Sequence, residues 1–361
     1  MPDASKKTAL IMAAGTGGHV FPALAVAQAL QQQGYDVHWL GTPSGMENKL
    51  VANADIPMHQ VSIKGLRGKG LLGLMLAPIR ILQATWQSVS VIRQVKPGVV
   101  VGFGGYIAGP GGVAAKLSGV PLLIHEQNAL AGLTNRWLSR IADSNLQAFP
   151  GALPNARVVG NPVRAEFKPS AVGTKSSRRL RVLVVGGSLG AVAVNKVVHQ
   201  VWSSMSESSR PELFHQVGAR DFDNMQAVYR ESGLLDGSDI RVQAFIQDMA
   251  EAYQWADLVI CRSGALTVSE LAAMGKPAVL VPYPYAVDDH QTVNAGFLEK
   301  AGGAVICQQD DLTPDWLQKT LSEFEKNPER LAAMAENSAQ CAVFDATDRT
   351  VEDIERIYRD Q

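Results

Sequence analysis

Short apolar runs alternate with longer amphipathic segments along most of the chain. Apolar runs of about four to eight residues, bounded by glycine or polar residues, are typical of strands that a parallel sheet buries on both faces. The first part of the chain predicts strands at residues 8–14, 36–40, 98–101 and 120–124, with a helix at 20–33. A strand, a glycine loop, a helix and a second strand in succession predict the opening of a doubly wound α/β domain.

The same layout begins again near residue 180. Further strands are predicted at 180–185, 214–217, 240–244, 258–260, 278–281 and 304–306, and helices at 192–202, 314–325, 328–342 and 349–358. A polar, proline-containing stretch separates the two series and is typical of a linker. We therefore predict two tandem Rossmann-like domains that face a cleft. They comprise residues 1–163 and 180–342, with a linker at 164–179 and a tail helix within 343–361.

Residues 71–86 do not fit this alternation. Apolar side chains at helical spacing share one predicted face: Leu72, Met75, Leu76, Ile79, Leu82 and Trp86. Lys69 and Arg80 lie beside them, Gly73 and Pro78 weaken the helix, and the stretch is shorter than the ~20 apolar residues that span a bilayer. Two interpretations remain open: a helix that covers the sheet, or a face that rests on an anionic membrane.

Composition narrows the class of protein. A length of 361 residues suits two domains, and a net charge of −1 gives no bulk electrostatic reason to expect nucleic acid as a partner. Three cysteines without CxxC spacing fit a reducing compartment better than a disulfide framework. The N-terminal apolar run is broken by glycine before it reaches the length of a signal peptide, so we expect a cytoplasmic protein.

Residues 261–284 predict a strand end, a small-residue turn and a helix that begins at Leu266 and stops at Gly275. A turn of this kind brings a phosphate close to backbone N–H groups at the positive end of the helix dipole. Glu270, one turn into the helix, can accept hydrogen bonds from sugar hydroxyls. An ordinary strand–helix connection explains the same pattern.

Residues 15–19, Gly-Thr-Gly-Gly-His, lie where the first predicted strand meets the first helix, and their N–H groups can hold a polyanion. The loop lacks a P-loop lysine, which argues against an ATPase, and no acidic residue follows at residues 40–42 to hold an NAD ribose. His19 can take a proton near neutral pH, although a loop histidine is more often only solvated.

Two polar runs follow later strands, at residues 125–128 (His-Glu-Gln-Asn) and 288–294. Each can line a cleft, and each is also explained as a strand end or a helix cap. Asp221 and Asp223 formally match the DxD motif that binds Mg²⁺ or Mn²⁺ in many sugar transferases. They begin a predicted helix, where aspartates cap N–H groups, so we predict no metal site. HExxH, paired CxxC and GxSxG motifs are absent from the sequence.

Seven motifs in order resemble one family. They are GTGGH at 15–19, GFGGYIAGPGG at 102–112, HEQNALAG at 125–132, GNPVR at 160–164, GGSLGA at 186–191, CRSGALTVSELAAMGKPAVLVPYP at 261–284 and DDHQTVNA at 288–295. The chain resembles the MurG family of bacterial glycosyltransferases, which transfer N-acetylglucosamine from UDP-N-acetylglucosamine (UDP-GlcNAc) to lipid I and make lipid II for peptidoglycan. The resemblance implies a GT-B fold whose tail helix returns to the N-terminal domain.

The resemblance also implies roles for individual residues. Donor-binding residues by position are Thr16, Gly17, Gly18, Asn128, Arg164, Ser188, Phe245, Ile246, Ala265, Leu266, Thr267, Val268, Ser269, Glu270, Gln291 and Asn294. Among them, Ser188 and the turn at 265–267 would contact the diphosphate, Glu270 the ribose and Ile246 the uracil. Leu189 and Val192 replace the glutamine and arginine that are frequent in relatives, which leaves the GGSxGA core intact.

On the acceptor side, the family pattern places a diphosphate on the two N-terminal glycine loops, at Gly17, Gly18, Gly104, Gly105 and Tyr106. His19 is then the candidate catalytic base, with Glu126 in support. No metal or other cofactor is expected. The membrane interpretation of residues 69–86 gains weight, because the polyprenyl tail of lipid I stays in the bilayer. The implied location is peripheral, on the cytoplasmic face of the bacterial inner membrane, with anionic phospholipid and other cell-wall synthesis proteins as further partners.

Two other classes of function fit the same fold. One is a related enzyme, such as a UDP-GlcNAc 2-epimerase or a transferase with a different lipid acceptor. The other is a nucleotide-sugar-binding regulator without enzymatic activity. The apolar and basic stretch at 64–86 favours a lipid acceptor over a soluble epimerase.

Overall fold

The computed structural model describes residues 7–63, 76–169, 179–187 and 190–360. The chain forms two compact units, Met1–Arg164 with Val343–Gln361, and Ala165–Ala342. Each unit contains one parallel β-sheet with helices packed on it, which confirms the predicted α/β class. The predicted linker at 164–179 lies partly outside the described residues.

The first unit is built on a seven-stranded sheet. Its strands are β1 Thr8–Met12, β2 Asp36–Gly41, β3 Met58–Gln60, β4 Val99–Gly102, β5 Leu122–Glu126, β6 Ser144–Gln147 and β7 Arg157–Val158. Its helices are α1 Gly17–Gln32, α2 Glu47–Ala52, α3 Ala77–Val95, α4 Ala108–Leu117 and α5 Leu133–Leu138. The strand order is β3-β2-β1-β4-β5-β6-β7, so the direction of winding reverses between β1 and β4.

The second unit is built on a six-stranded sheet. Its strands are β8 Arg181–Val185, β9 Glu212–Gln216, β10 Ile240–Gln243, β11 Leu258–Cys261, β12 Ala278–Leu280 and β13 Ala304–Ile306. Its helices are α6 Val192–Ser204, α7 Phe222–Glu231, α8 Met249–Trp255, α9 Ala265–Met274, α10 His290–Lys300, α11 Pro314–Lys326 and α12 Pro328–Gln340. The order β10-β9-β8-β11-β12-β13 is the Rossmann order, and winding reverses between β8 and β11.

Strand β1 shows why the apolar runs are continuous. Ala9 and Ile11 belong to the hydrophobic cluster on one face of the sheet, whereas Leu10 and Met12 belong to the cluster on the other face. Successive side chains of a strand point to opposite faces, so a strand covered by helices on both sides needs apolar residues at every position.

The tail helix α13, Ala346–Arg359, completes the first unit. Val351, Ile354 and Ile357 are buried in the same cluster as the inner face of α1. The Tyr358 hydroxyl donates to the carbonyl of Thr8 at the start of β1. The predicted return of the C-terminal helix to the N-terminal domain is confirmed.

Several elements of the first unit were not predicted. Strands β3 and β7 contain only three and two residues, and three of the four residues of β6 are polar, so none forms an apolar run. Strand β5 begins at Leu122 rather than at residue 120. Helix α3 begins at Ala77, which places Pro78 in its first turn, where proline is tolerated, instead of in its interior.

Candidate functional site

The two N-terminal glycine loops lie side by side in the first unit. They follow β1 and β4, which are neighbouring parallel strands on either side of the point where the winding reverses. Ligands of open α/β sheets bind at the carboxyl ends of strands at such a switch point. The first loop leads directly into the N-terminus of α1 at Gly17, so the site has the N–H groups and the dipole that favour an anion.

Gly104 and Gly105 are required by the close approach of these loops. Both have positive φ values, +92° and +77°, which residues with a Cβ rarely adopt. A Cβ on Gly105 would overlap the carbonyl oxygen of Ala14, and a Cβ on Gly104 would lie 3.0 Å from Nδ1 of His19. Tyr106 follows at the same place, with its ring edge facing Gly15.

His19 is partly exposed in the first turn of α1. Its Nδ1 lies 3.1 Å from Oε1 of Gln127. Gln127 is buried at the end of β5, and its Nε2 lies 3.3 Å from Nδ1 and 3.2 Å from the carbonyl oxygen of His125. His125 in turn contacts the carbonyl oxygen of Gly160 through Nε2, at 2.9 Å. A continuous chain of polar contacts therefore runs from His19 into the interior.

His125 is fully buried and stacks on Phe103 at a ring-centroid distance of 5.4 Å. Burial lowers its pKa from 6.5 to about 4, and the hydrogen bond to Gly160 offsets only part of this effect. Burial therefore favours the neutral form of the His125 ring.

Glu126 is buried, and its hydrogen bonds order the loop that follows β5. Its carboxylate accepts from the backbone and side-chain amides of Asn128, at 2.9 and 3.1 Å, and from Asn135 Nδ2 at 2.9 Å. The Gly132 N–H is a further donor, at 3.3 Å. Glu126 thus bonds directly to Asn128, whereas the hydrogen-bond partner of His19 is Gln127.

The other predicted residues of the first unit are grouped around α1. Thr16 is the exposed N-cap residue, and Gly17 and Gly18 form the first turn. The guanidinium of Arg164 lies 5.6 Å from the centre of the Phe21 ring, one turn further along the same helix. Thr16, Gly17, Gly18 and Arg164 are thus gathered at one helix end.

Glu47 belongs to this region and was not predicted. Its side chain is fully buried, and Oε1 accepts from the backbone N–H and the hydroxyl of Thr42, at 3.1 and 2.7 Å. Oε2 lies 3.4 Å from the N–H of Gly15. Glu47 therefore ties the loop after β2 to the first glycine loop.

In the second unit the turn between β11 and α9 has the predicted form. Gly264 is the N-cap residue and Ala265 begins the helix, one residue before the predicted start. Asn294 is fully buried on α10, and its Nδ2 donates to the carbonyl of Ser263 at 3.3 Å. The Ser263 hydroxyl is buried and has no hydrogen-bond partner among the described residues. The side chain of Asn294 therefore stabilises the turn from the side of α10.

Glu270 lies on the inner part of α9. It is 9% exposed, and Oε2 accepts from the hydroxyl of Tyr253 at 3.2 Å. Gln291, at the start of α10, accepts the N–H of Tyr283 through Oε1 at 2.9 Å. Its NH₂ group is then the end that can donate to a sugar hydroxyl. Leu266, Thr267, Val268 and Ser269 complete the first turns of α9.

The loop after β8 carries the GGSLGA motif, of which Ser188 and Leu189 lie outside the described residues. The side chain of Gln216 holds the described part of this loop in place through hydrogen bonds. Its Oε1 accepts from the N–H of Gly187 at 3.0 Å, and its Nε2 donates to the carbonyls of Gly187 and Ala244. This buried glutamine was not predicted, because its partners are distant in sequence.

Phe245 and Ile246 follow β10 and line an open cavity of about 510 Å³. Phe245 is 65% exposed and Ile246 is buried. Arg241 lines the same cavity and is exposed, and its guanidinium lies 4.3 and 4.6 Å from the ring centres of Phe214 and Trp255. The predicted uracil contacts therefore border a space of a size that suits a ligand.

The carboxylate of Asp221 is already used within the second unit. It is buried, one oxygen accepts from Asn195 Nδ2 at 2.8 Å, and the other accepts from Asn224 Nδ2 at 3.2 Å. Over residues 7–63, 76–169, 179–187 and 190–360, no three His, Cys, Asp or Glu side chains converge in a way that could hold a metal ion.

Helix α3 exposes the apolar face that was singled out in the sequence. Ile79, Leu82 and Trp86 are 63%, 60% and 62% exposed, and Leu76 precedes the helix at 39%. Arg80 is exposed beside them, whereas Lys69, Leu72 and Met75 lie outside the described residues. A different face, with Ala84, Ser88 and Ile92, is buried against the sheet. The helix covers the sheet and presents large apolar side chains to solvent at the same time.

Helices α4 and α5 also expose apolar side chains, and we refer to these together with those of α3 as the apolar face of α3 to α5. Helix α4 packs against both α3 and α5. Leu117 on α4 is 72% exposed, and Trp137 and Leu133 on α5 are 62% and 55% exposed. Arg140 stacks on the Trp137 ring at 4.7 Å. Among the described residues no helix combines the length and apolarity needed to cross a membrane. An exposed apolar patch with basic side chains is typical of a docking surface for membrane or protein.

Comparison with known families finds two matches that together cover most of the chain. The glycosyltransferase family 28 N-terminal domain matches residues 9–147, and the glycosyltransferase family 28 C-terminal domain matches residues 181–350. The two matches fall on the two sheets in turn.

Several known proteins are similar over nearly their whole length. A protein of Marinobacter nauticus is 50% identical over 97% of this chain and 98% of its own length. One of Burkholderia thailandensis is 52% identical over 95% of this chain and 94% of its own. Both are named UDP-N-acetylglucosamine–N-acetylmuramyl-(pentapeptide) pyrophosphoryl-undecaprenol N-acetylglucosamine transferase.

Solved structures agree with this result. The crystal structure of MurG from Acinetobacter baumannii has a TM-score of 0.81 at 44% identity, over 97% of this chain and 99% of that one. The glycosyltransferase VinC in complex with dTDP has a TM-score of 0.69 at 18% identity, over 98% and 100% of the two chains, which is a likeness of fold alone.

Proposed function

The chain belongs to glycosyltransferase family 28, and from this premise we propose how its residues carry out the reaction. It is a hexosyltransferase of the GT-B fold that transfers N-acetylglucosamine from UDP-GlcNAc to N-acetylmuramyl-(pentapeptide) pyrophosphoryl-undecaprenol, lipid I. The product is lipid II, the precursor of peptidoglycan. The observation that carries this assignment is 50% identity over 97% of the chain to a transferase of that name.

We propose an inverting displacement with His19 as the base. The 4-hydroxyl oxygen of the N-acetylmuramyl unit attacks the anomeric carbon and forms a β-1,4 bond. The bond from that carbon to the diphosphate breaks, and its electron pair leaves with UDP. The hydroxyl proton passes to Nε2 of His19, the nitrogen that does not contact Gln127.

The leaving UDP gains negative charge as the bond breaks. The N-terminus of α9 at Ala265, Leu266 and Thr267 offers backbone N–H groups and the positive end of a helix dipole. The buried hydroxyl of Ser263 adds a donor behind the same turn. The predicted contact from Ser188 lies outside the described residues and remains part of the proposal.

Other proposed contacts to the donor are those that the family resemblance implies. The carboxylate of Glu270 accepts hydrogen bonds from the ribose hydroxyls, and Phe245 and Ile246 border the space for the uracil. The free amide end of Gln291 donates to the sugar, and Asn294 supports the turn at Ser263. Asn128, held by Glu126, supplies a further amide.

We expect full activity in excess EDTA. The proposed charge stabilisation uses backbone N–H groups, and the Asp221 carboxylate of the DxD match already accepts two hydrogen bonds from amides. The measurement is UDP release with lipid I after dialysis against EDTA, compared with the same assay after Mg²⁺ is restored. Complete loss of turnover that Mg²⁺ restores would overturn the metal-free proposal.

The face of α3 to α5 defined above is proposed as the membrane surface. Its apolar side chains would enter the headgroup region of the cytoplasmic leaflet, and Arg80 and Arg140 would meet anionic lipids. This arrangement makes the protein peripheral on the inner membrane, where the polyprenyl chain of lipid I remains.

The triple substitution Ile79→Ser, Leu82→Ser and Trp86→Ser is expected to weaken binding to anionic vesicles by about 10³-fold. Each apolar side chain contributes at least ~1.5 kcal/mol when it is buried. Vesicle sedimentation measures the effect. A matched control replaces Val158 and Phe344, which are exposed apolar residues of the same unit outside α3 to α5. Equal losses in both variants, or no loss in the first, would refute the proposed surface.

One assay separates the transferase from its alternatives. A lipid I transferase releases UDP from UDP-GlcNAc only when lipid I is present. An epimerase changes the sugar without lipid I, and a regulator that only binds the nucleotide sugar shows no turnover in either condition.

A further inference from the structure

We propose that Gln127 and His125 hold the neutral ring of His19 in the Nδ1–H tautomer and so keep Nε2 free to accept a proton. Gln127 and His125 are thereby positioning residues. This inference rests on the proposed function, in which His19 is the base. Its evidence is a chain of hydrogen bonds that permits only one assignment of donors and acceptors.

The orientation of the Gln127 amide is fixed first. One end of the amide lies 3.2 Å from the carbonyl oxygen of His125 and 3.3 Å from Nδ1 of the same residue. A carbonyl oxygen only accepts, so this end of the amide is the NH₂ group. The other end is then Oε1, which can only accept.

The hydrogen bonds of His125 lead to the same orientation of the Gln127 amide. Its Nε2 lies 2.9 Å from the carbonyl oxygen of Gly160 and must donate. In a neutral imidazole the other nitrogen then carries a lone pair, so Nδ1 accepts from the NH₂ group of Gln127. Complete burial keeps His125 neutral, with a pKa of about 4. The buried carbonyl of Gly160 thus determines which group donates and which accepts in each hydrogen bond from His125 to His19.

The last link is His19. Its Nδ1 lies 3.1 Å from Oε1 of Gln127, and because Oε1 accepts, Nδ1 must carry the proton. Neutral histidine in water prefers the opposite, Nε2–H, tautomer, which could not act as a base through Nε2. The amide therefore selects the less common but reactive form of the ring.

Gly104 keeps the ring in this position. Only a residue without a Cβ allows Nδ1 and Cε1 of His19 to approach its Cα so closely, since a Cβ would lie 3.0 and 3.1 Å from these atoms. When Nε2 takes the proton, the bond from Nδ1 to Gln127 becomes charge-assisted and strengthens. The amide orients the ring without the added basicity that a carboxylate would confer.

The test is ¹⁵N NMR of the histidine side chains in alkaline buffer, because ring nitrogens with and without a proton differ strongly in chemical shift. The His19 signals are identified by their loss in His19→Ala. We expect Nδ1–H in the wild-type protein and in Gln127→Glu, and a shift towards Nε2–H in Gln127→Leu. Gln147→Leu is the matched control, because Gln147 is also buried and its side chain bonds to backbone groups of Ala156 and Leu153.

Gln127→Leu is also expected to lower kcat by about 10-fold with little change in the KM for UDP-GlcNAc. This loss is well below the ~10⁴-fold found when a catalytic histidine is held in the wrong tautomer. Leucine forms no hydrogen bond to the ring, so the two tautomers of His19 can still interconvert. An Nε2–H pattern in the wild-type protein, or unchanged His19 signals in Gln127→Leu, would overturn the proposal. If the tautomer pattern holds while His19→Ala retains full kcat, the proposed base fails and the positioning result stands.

Discussion

His19→Ala is expected to lower kcat by about 10²–10⁴-fold, the usual contribution of a general base, while the KM for UDP-GlcNAc changes by less than about 3-fold. The acceptor hydroxyl must lose its proton as it bonds, and the His19 ring in the first turn of α1 is the proposed group that takes it. The measurement is steady-state UDP release with lipid I over a range of donor concentrations.

A matched control is His59→Ala, which removes a partly buried histidine of the same unit that hydrogen-bonds to His38 on the neighbouring strand. Its kcat should equal that of the wild-type protein. A His19→Ala enzyme with unchanged kcat would exclude His19 as the base. A rise in donor KM without a fall in kcat would place His19 in substrate binding instead.

Glu270→Ala is expected to raise the KM for UDP-GlcNAc by about 10²-fold, because hydrogen bonds to a charged group contribute about 1.5–3 kcal/mol. The carboxylate is held on α9 and is 9% exposed, so ribose hydroxyls would meet it with little competition from water. Calorimetric titration with UDP measures the same loss without turnover.

Two comparisons isolate the ribose contact. Tyr253→Phe removes the hydroxyl that donates to Glu270 and leaves the carboxylate in place, so its donor KM should change far less. Wild-type protein should bind a deoxyribose analogue of UDP more weakly than UDP, and Glu270→Ala should not discriminate between them. Equal discrimination in both proteins would exclude the proposed role of Glu270.

Local signals explain what could be predicted from the sequence. The turn before α9 was placed to within one residue, because small residues open this helix and Gly275 closes it in the left-handed conformation. The glycine loop before His19 follows from the same kind of signal. Each of these features is decided by residues that are neighbours in the chain.

The partners of the predicted residues could not be predicted in the same way. His19 and Gln127 are separated by 108 positions, and Gly187 and Gln216 by 29. Strand pairing brings each pair together, and glutamine carries no local signature for such a role. The family resemblance implies Glu126 as the support of His19, whereas the hydrogen-bond partner of His19 in the structure is the next residue, Gln127.

Helix α3 shows a second feature that the sequence pattern could not predict, namely which of its faces the sheet covers. Its large apolar side chains, such as Trp86, face solvent, while small ones, such as Ala84 and Ser88, face the sheet. Periodicity identifies an apolar stripe, but it does not say which stripe the sheet covers. Close packing of the helix favours the small residues on the inner side, so the helix covers the sheet while its large apolar side chains face solvent. The membrane interpretation of this face stays a prediction.

The tail helix α13 has a consequence for biosynthesis. The first unit needs Val351, Ile354 and Ile357 to close its core, yet these residues are translated after the whole of Ala165–Ala342. At about 5–20 residues per second, the ribosome takes roughly 10–40 s to add the residues between the two parts of the first unit. During that interval the second unit can fold, whereas the earlier half of the chain still exposes the groove for α13. The N-terminal unit of this protein is therefore the last to be completed as the chain is made.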